Sequence, residues 1–360
     1  MRENGAVSLR KVLFTETEKL FSTYGDLEVS TFSYQSGVQA VKITNDRGYI
    51  VVLPYKGQQI WDAVFGGRSL AMKSLFPKPR NVGSFLESYG CLMMHCGALR
   101  MGCPAPEDDH PLHGELPYAD YHEASLVFGN DRGGKYIGVT GVFEYNRAFG
   151  DSYLAKPLVK LYEDSAIMDV SLRVENMSRY PMELMYMCHF NFAIARNGTI
   201  FQTSNWDNKS MLLRTSIPEH VKVSKSFLEF LERLKVDPSL TRVIKPEDEY
   251  FPEIVFFINN LKKDSKGWAH IMQLHEDGSA DLVSQKPSEL NHHARWILKS
   301  KNREVMGILP ATCDPEGYTA EKKKGNVREI PAEGSVEFNI KGGYLNKEDT
   351  EAMRKHIESL

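Results

Sequence analysis

Hydrophobic positions along the chain recur mostly with period two. Val170, Leu172 and Val174 alternate with Ser171, Arg173 and Glu175, the pattern of a strand with one buried face. Val41 and Ile43 lead into Asn45-Asp46-Arg47-Gly48, and Ile50-Val51-Val52-Leu53 returns, which predicts a hairpin. A second hairpin is predicted from Trp268 to Val283, with Glu276-Asp277-Gly278-Ser279 at its reversal; Asp-Gly supplies the positive φ angles of a tight turn. Helical spacing is scarce. Residues 226–235 place Phe227, Phe230, Leu231 and Leu234 on one face behind a Ser226/Glu229 capping box, and a polar surface helix is expected from Asn346 to Leu360. Many strands without alternating helices predict an all-β fold, a large antiparallel sandwich or barrel. We expect one β domain over residues 1–345 and a helical tail over 346–360. Residues 235–252, rich in Pro, Lys and Glu, form a candidate insertion or lid.

Composition excludes more than it selects. The 360 residues suffice for a sizeable core, and 42% hydrophobic with 25% charged is ordinary for a globular chain. A net charge of −3 is no nucleic-acid footprint, and Lys322-Lys323-Lys324 beside Glu321 reads as a solvated turn. No run approaches the roughly 18 consecutive apolar residues of a membrane span. The first residues lack the apolar core of a secretory leader, so a cytoplasmic location is expected. Five cysteines (91, 96, 103, 188 and 313) form no CxxC pair and no even set, which fits reduced thiols. A zinc site of Cys91, Cys96, Cys103 and His95 matches no standard spacing, and no cofactor is expected.

The candidate chemistry lies in His110-Pro111-Leu112-His113-Gly114-Glu115, answered downstream by Cys188-His189-Phe190-Asn191-Phe192. Histidine exchanges protons near neutral pH, and glutamate is its usual acid–base partner. The same residues allow a second reading. His95, His110, His113, Glu115 and His189 could ligate a divalent metal, as a metal-dependent sugar isomerase requires.

Residues 175–192, from Glu175-Asn176-Met177 to Phe190-Asn191-Phe192, resemble the aldose 1-epimerase (galactose mutarotase) signature of a turn followed by a histidine-bearing strand. His113-Gly114 resembles that family's preceding His-Gly element. The run from Gly307 to Gly317 resembles the segment bearing its catalytic glutamate, and Ile330-Pro331-Ala332-Glu333-Gly334-Ser335 the turn before its last strands. The resemblance runs from about Val41 to Leu345 and is closest to a bacterial epimerase-like branch. It implies a galactose mutarotase-like β-sandwich with a cleft for a free sugar or sugar derivative. His189 takes the acid's place and His113 that of the substrate-orienting histidine. In that branch the glutamate precedes Pro-Ala-Thr, and here the position is Leu309, which accepts no proton. Glu115 is therefore the expected base, with Asp314 and Glu316 as rivals. His95, Arg100, His110, Asn191 and Arg295 complete the expected substrate contacts, and Trp61, Trp206, Trp268 and Trp296 could stack on a sugar face. Loss of the glutamate also leaves open a carbohydrate-binding protein without catalysis.

Overall fold

The computed structural model describes residues 5–217 and 222–360. Period-two segments become the strands of two large antiparallel sheets, one of nine strands and one of twelve. Val170, Leu172 and Val174 face inward from the strand Ile167–Asn176. They meet Val29, Ile43, Ile60 and Phe190 of the opposite sheet in one apolar core. This is the expected sandwich, because each sheet can hide its apolar face only against the other. Both anticipated hairpins form, with Val41 opposite Val52 and Leu274 opposite Ala280.

The twelve-stranded sheet is apolar on its other face too. Met94, Met187, Val255, Phe257, Ala294 and Leu309 make a second cluster there, covered by Phe85, Met101 and Leu112 from the segment between residues 70 and 118. The strand Met187–Phe192 is consequently buried along its whole length. Its odd-numbered residues turn away from the core between the sheets, and the functional side chains project from that outer face.

Three expectations change locally. The helix spans Lys225–Val236 and its cap is Ser224, whose hydroxyl accepts from Phe227 N–H at 3.0 Å, so Ser226 lies inside the first turn. The basic run is a short helix, Tyr318–Lys324, closed by Gly325 in the left-handed region. Lys322 reaches Glu183 at 2.8 Å and Lys324 a carboxylate cluster, which anchors the turn read from sequence as solvated. The tail forms a helix over Lys347–Glu358, capped by Asn346, and buries Thr350 and Ile357 against the nine-stranded sheet's outer side. Residues 235–252 contain a 3-10 turn, Pro238–Arg242, with Thr241, Ile244 and Tyr250 buried. Among the described residues no helix is long and apolar enough to cross a membrane.

Candidate active site

A cavity of about 290 Å³ opens on the outer face of the twelve-stranded sheet, lined by His113, His189, Arg214, Glu253, Trp296 and Leu309, with Phe85 and Tyr89 beside them. His189 sits in mid-strand between the strands Met93–Cys96 and Glu304–Ala311. The Met187–Ala311 and Phe190–Ile308 pairs flank it, a register that sets His189 opposite Leu309. Trp296 faces Gly307 on one neighbouring strand and Val255 on the other. A Cβ at Gly307 would come within 2.9 Å of the Trp296 Cβ, so glycine gives the indole its room.

Glu253 supplies the carboxylate that the sequence failed to offer. It immediately precedes the buried strand Ile254–Ile258. Trp296 Nε1–H donates to its Oε2 at 2.8 Å, and an Arg214 guanidinium N–H donates to its Oε1 at 3.0 Å. The Glu253 strand and the His189 strand are separated by two others in the sheet, three strand spacings or about 14 Å.

An aromatic shell fixes the imidazoles. His113 and His189 ring centres are 5.4 Å apart; Trp296 meets His189 edge-on at 5.8 Å and stacks on Tyr89 at 5.9 Å. Burial lowers both imidazoles' proton affinity. His113 falls to about 4, helped by nearby His110 and Arg214, and His189 lies well below its usual value, with His113 as a second cause. Both are neutral at pH 7 in the free site, because a charged imidazole would lose its hydration there. His113 also has a left-handed backbone, φ 61°, a conformation costing a non-glycine residue about 1–2 kcal/mol. Gly114 follows at φ 82°, where a Cβ would lie 2.0 Å from the Arg100 carbonyl oxygen.

The other expected site residues sit elsewhere. Glu115 faces away from the cavity: its Oε1 accepts from the Ala98 and Leu99 amides, both at 2.9 Å, and from the Tyr153 hydroxyl at 2.6 Å. It locks the loop that presents His113 and does not line the cavity. His95 points between the sheets, 2.8 Å from the Tyr186 hydroxyl, and burial lowers it to about 4. Arg295 also points inward. It is fully buried over the Trp206 ring with its Nη2 donating to Gln202, and burial lowers it to about 9. Arg100 pairs with Glu183 at 3.2 Å and covers the Tyr318 ring. His110 lies 2.9 Å from the Pro111 carbonyl oxygen. Asp314 and Glu316 share the Lys324 ammonium, and only the intervening Pro315 reaches the cavity. Asn191 acts through another side chain, accepting from the Tyr89 hydroxyl at 3.1 Å.

Of the expected contacts, therefore, His113 and His189 converge, joined by Trp296 from the aromatic candidates. Of the five residues expected to supply three or four ligands to a metal, only His113 and His189 line the cavity, and His95 and Glu115 face other directions. All five cysteines are free thiols; Cys91, Cys96, Cys188 and Cys313 are buried, and Cys103 borders the cavity. Glu253, Arg214 and Tyr89 were missed. The available signal was a lone carboxylate, Pro252-Glu253, at the mouth of the wholly apolar run Ile254-Val255-Phe256-Phe257-Ile258. A larger depression of about 650 Å³ lies on the nine-stranded sheet, where Lys160 pairs with Asp131 and Lys341 with Asp169.

Comparison with known proteins agrees with this architecture. A family model described as a domain of unknown function, DUF4432, matches residues 35–199, just under half of the chain. No protein of curated function matches the sequence. Among solved structures, one described as a candidate aldose 1-epimerase from Klebsiella pneumoniae superposes with a TM-score of 0.82 at 14% identity. The match covers 100% of this chain and 96% of that one. A galactose mutarotase-like protein from Clostridium acetobutylicum gives 0.61 at 14% identity, covering 89% and 99%. A galactose mutarotase-like protein from Lactobacillus casei gives 0.54 at 12%, covering 85% and 100%. The chain has the galactose mutarotase-like fold.

Proposed function

We propose that the chain is an aldose 1-epimerase-like enzyme that opens a cyclic sugar at its anomeric carbon and recloses it on the other face. The observation that carries this reading is Glu253, held by Trp296 and Arg214 at the cavity that His113 and His189 share. Mutarotation needs a base for the anomeric hydroxyl and an acid for the ring oxygen, and the two exchange roles on closure. Glu253 takes the hydroxyl proton. Trp296 and Arg214 steady the carboxylate through two fixed N–H donors while it does so.

His189 donates to the ring oxygen from the opposite side, and His113 orients a neighbouring hydroxyl. Burial keeps both rings neutral in the free site, so His189 takes up one proton with the sugar. It gives that proton to the ring oxygen on opening and recovers it from that hydroxyl on closure, while Glu253 returns its proton to the anomeric oxygen. Leu309 occupies the place of the relatives' carboxylate directly opposite His189. The base then enters two strands further along the sheet, with its carboxylate returning over Trp296. The stacked Trp296 and Tyr89 rings offer an apolar wall for a sugar face.

The test is anomer interconversion followed by one-dimensional NMR across hexoses, pentoses, uronates and deoxy sugars. The reading requires at least one sugar to equilibrate faster than it does spontaneously. If none does while binding is detectable, the cavity is a carbohydrate-binding site without catalysis.

A further inference from the structure

On the opposite sheet, Asp264, His270 and His356 bring three ligand atoms within 4.8 Å of one another. Asp264 lies in the turn before the strand Ala269–Leu274, His270 on that strand, and His356 on the C-terminal helix. Both imidazole Nε2 atoms converge on a single oxygen, Asp264 Oδ2, at 3.2 Å from His270 and 3.4 Å from His356. Four donors arranged tetrahedrally at zinc bond lengths of about 2.0–2.1 Å stand about 3.3 Å from one another. The two measured separations fit such an edge.

The surroundings hold the three groups in place. Asp264 Oδ1 accepts the Lys266 and Trp268 amides at 2.8 and 2.9 Å, which fixes the carboxylate and leaves Oδ2 toward the rings. His270 Nδ1 lies 2.8 Å from the Ser284 hydroxyl. That is the outer-shell contact which orients a metal-bound imidazole, with Nδ1–H donating and Nε2 free to ligate. The His356 side chain is 41% exposed, so solvent can reach a fourth position. A second group, Asp314, Glu316 and Glu321, differs in one respect: the Lys324 ammonium already sits against all three carboxylates. Among the described residues no lysine or arginine pairs with Asp264.

We propose that Asp264, His270 and His356 form a binding site for one divalent transition-metal ion of the zinc class, with water as the fourth ligand. The ion joins the C-terminal helix to the strand Ala269–Leu274 of the nine-stranded sheet. The site belongs to the other sheet from the sugar cavity, so it acts as a structural clamp.

Full-length chain stripped with a chelator is titrated with Zn²⁺ by calorimetry and with Co²⁺ by visible absorption. One equivalent should bind, Co²⁺ should give the intense visible bands of tetrahedral coordination, and Zn²⁺ should raise the melting temperature. His356→Gln should weaken binding by about 100-fold or more, since loss of an outer-shell partner alone costs 10–100-fold. Glu316→Gln should bind as wild type does. Should His356→Gln lower the melting temperature of the metal-free chain, Asp264→Asn provides the same comparison, because its amide oxygen still accepts from both backbone N–H groups. No binding at one equivalent, or equal binding by wild type and both variants, overturns the proposal and leaves a hydrogen-bonded triad only.

Discussion

The two faces of the twelve-stranded sheet carry nearly the same residue types and do different things with them. On the outer face, His189, Trp296 and Glu253 border a cavity. On the inner face, Arg295, one residue before Trp296 on the same strand, lies against Gln202 and Trp206, and His95, on the strand beside that of His189, meets Tyr186. Parity along a strand decides between them, because successive side chains point to opposite faces. Residue type alone marks a histidine or arginine as chemical. Only the face tells whether it meets space or packing.

Acid should affect both faces at once, and strongly. His113 outside and His95 inside both fall to about 4 from the usual 6.5. A lowered folded-state value means that the unfolded chain binds more protons between pH 6.5 and 4. The native state's advantage is complete above 6.5 and is lost as pH falls toward 4. Each histidine contributes up to about 3 kcal/mol in that window at 1.36 kcal/mol per unit. Urea unfolding from pH 7.5 to 4.5 should therefore show steadily falling stability. A flat profile would remove the shared burial effect.

Single substitutions should then separate the faces. His189→Asn should slow anomer interconversion by about 10²-fold or more, while the protein still unfolds near the wild-type denaturant concentration. His95→Asn should keep the rate and cost about 1–3 kcal/mol, because it strands the buried Tyr186 hydroxyl. The reverse pattern would mean that the faces have been assigned the wrong way round.

This parity was hidden in the sequence. In Ile167–Asn176 the alternation of apolar and charged residues announces the buried face. In Met187–Phe192 His189 and Asn191 alternate with Cys188, Phe190 and Phe192, but both faces are buried, so the alternation marks no solvent face and does not by itself announce a cavity. Fold class, both hairpins and the amphipathic helix were legible because each rests on local periodicity or turn chemistry. His113 and His189 were legible through the resemblance. Glu253 was not: it lies 64 residues beyond His189, and cross-strand pairing through Trp296 brings it to the cavity. Glu115 looked catalytic by adjacency to His113, yet its neighbours are backbone amides.

A smaller effect is expected at Arg295. Its Nε and Nη1 have no hydrogen-bond partner among the described residues, so its burial is poorly compensated. Replacing uncompensated buried charge with an apolar side chain of similar length is often neutral or stabilising. Arg295→Met should leave the rate unchanged and alter stability by no more than about 1–2 kcal/mol, in either direction. A loss of several kcal/mol in equilibrium unfolding would show that the guanidinium is well matched after all.

The central claim is that Glu253, and not Glu115, is the base. Rates of anomer interconversion by Glu253→Gln and Glu115→Gln, measured by NMR on the best sugar substrate, test it most directly. Glu253→Gln keeps one of the two acceptor oxygens and cannot take a proton, so its rate should fall by about 10²-fold or more, while the loss of one partly exposed hydrogen bond should change melting little. Glu115→Gln should lose stability and retain the rate of its folded fraction. A Glu253→Gln enzyme at full rate, with Glu115→Gln inactive though folded, would contradict the account.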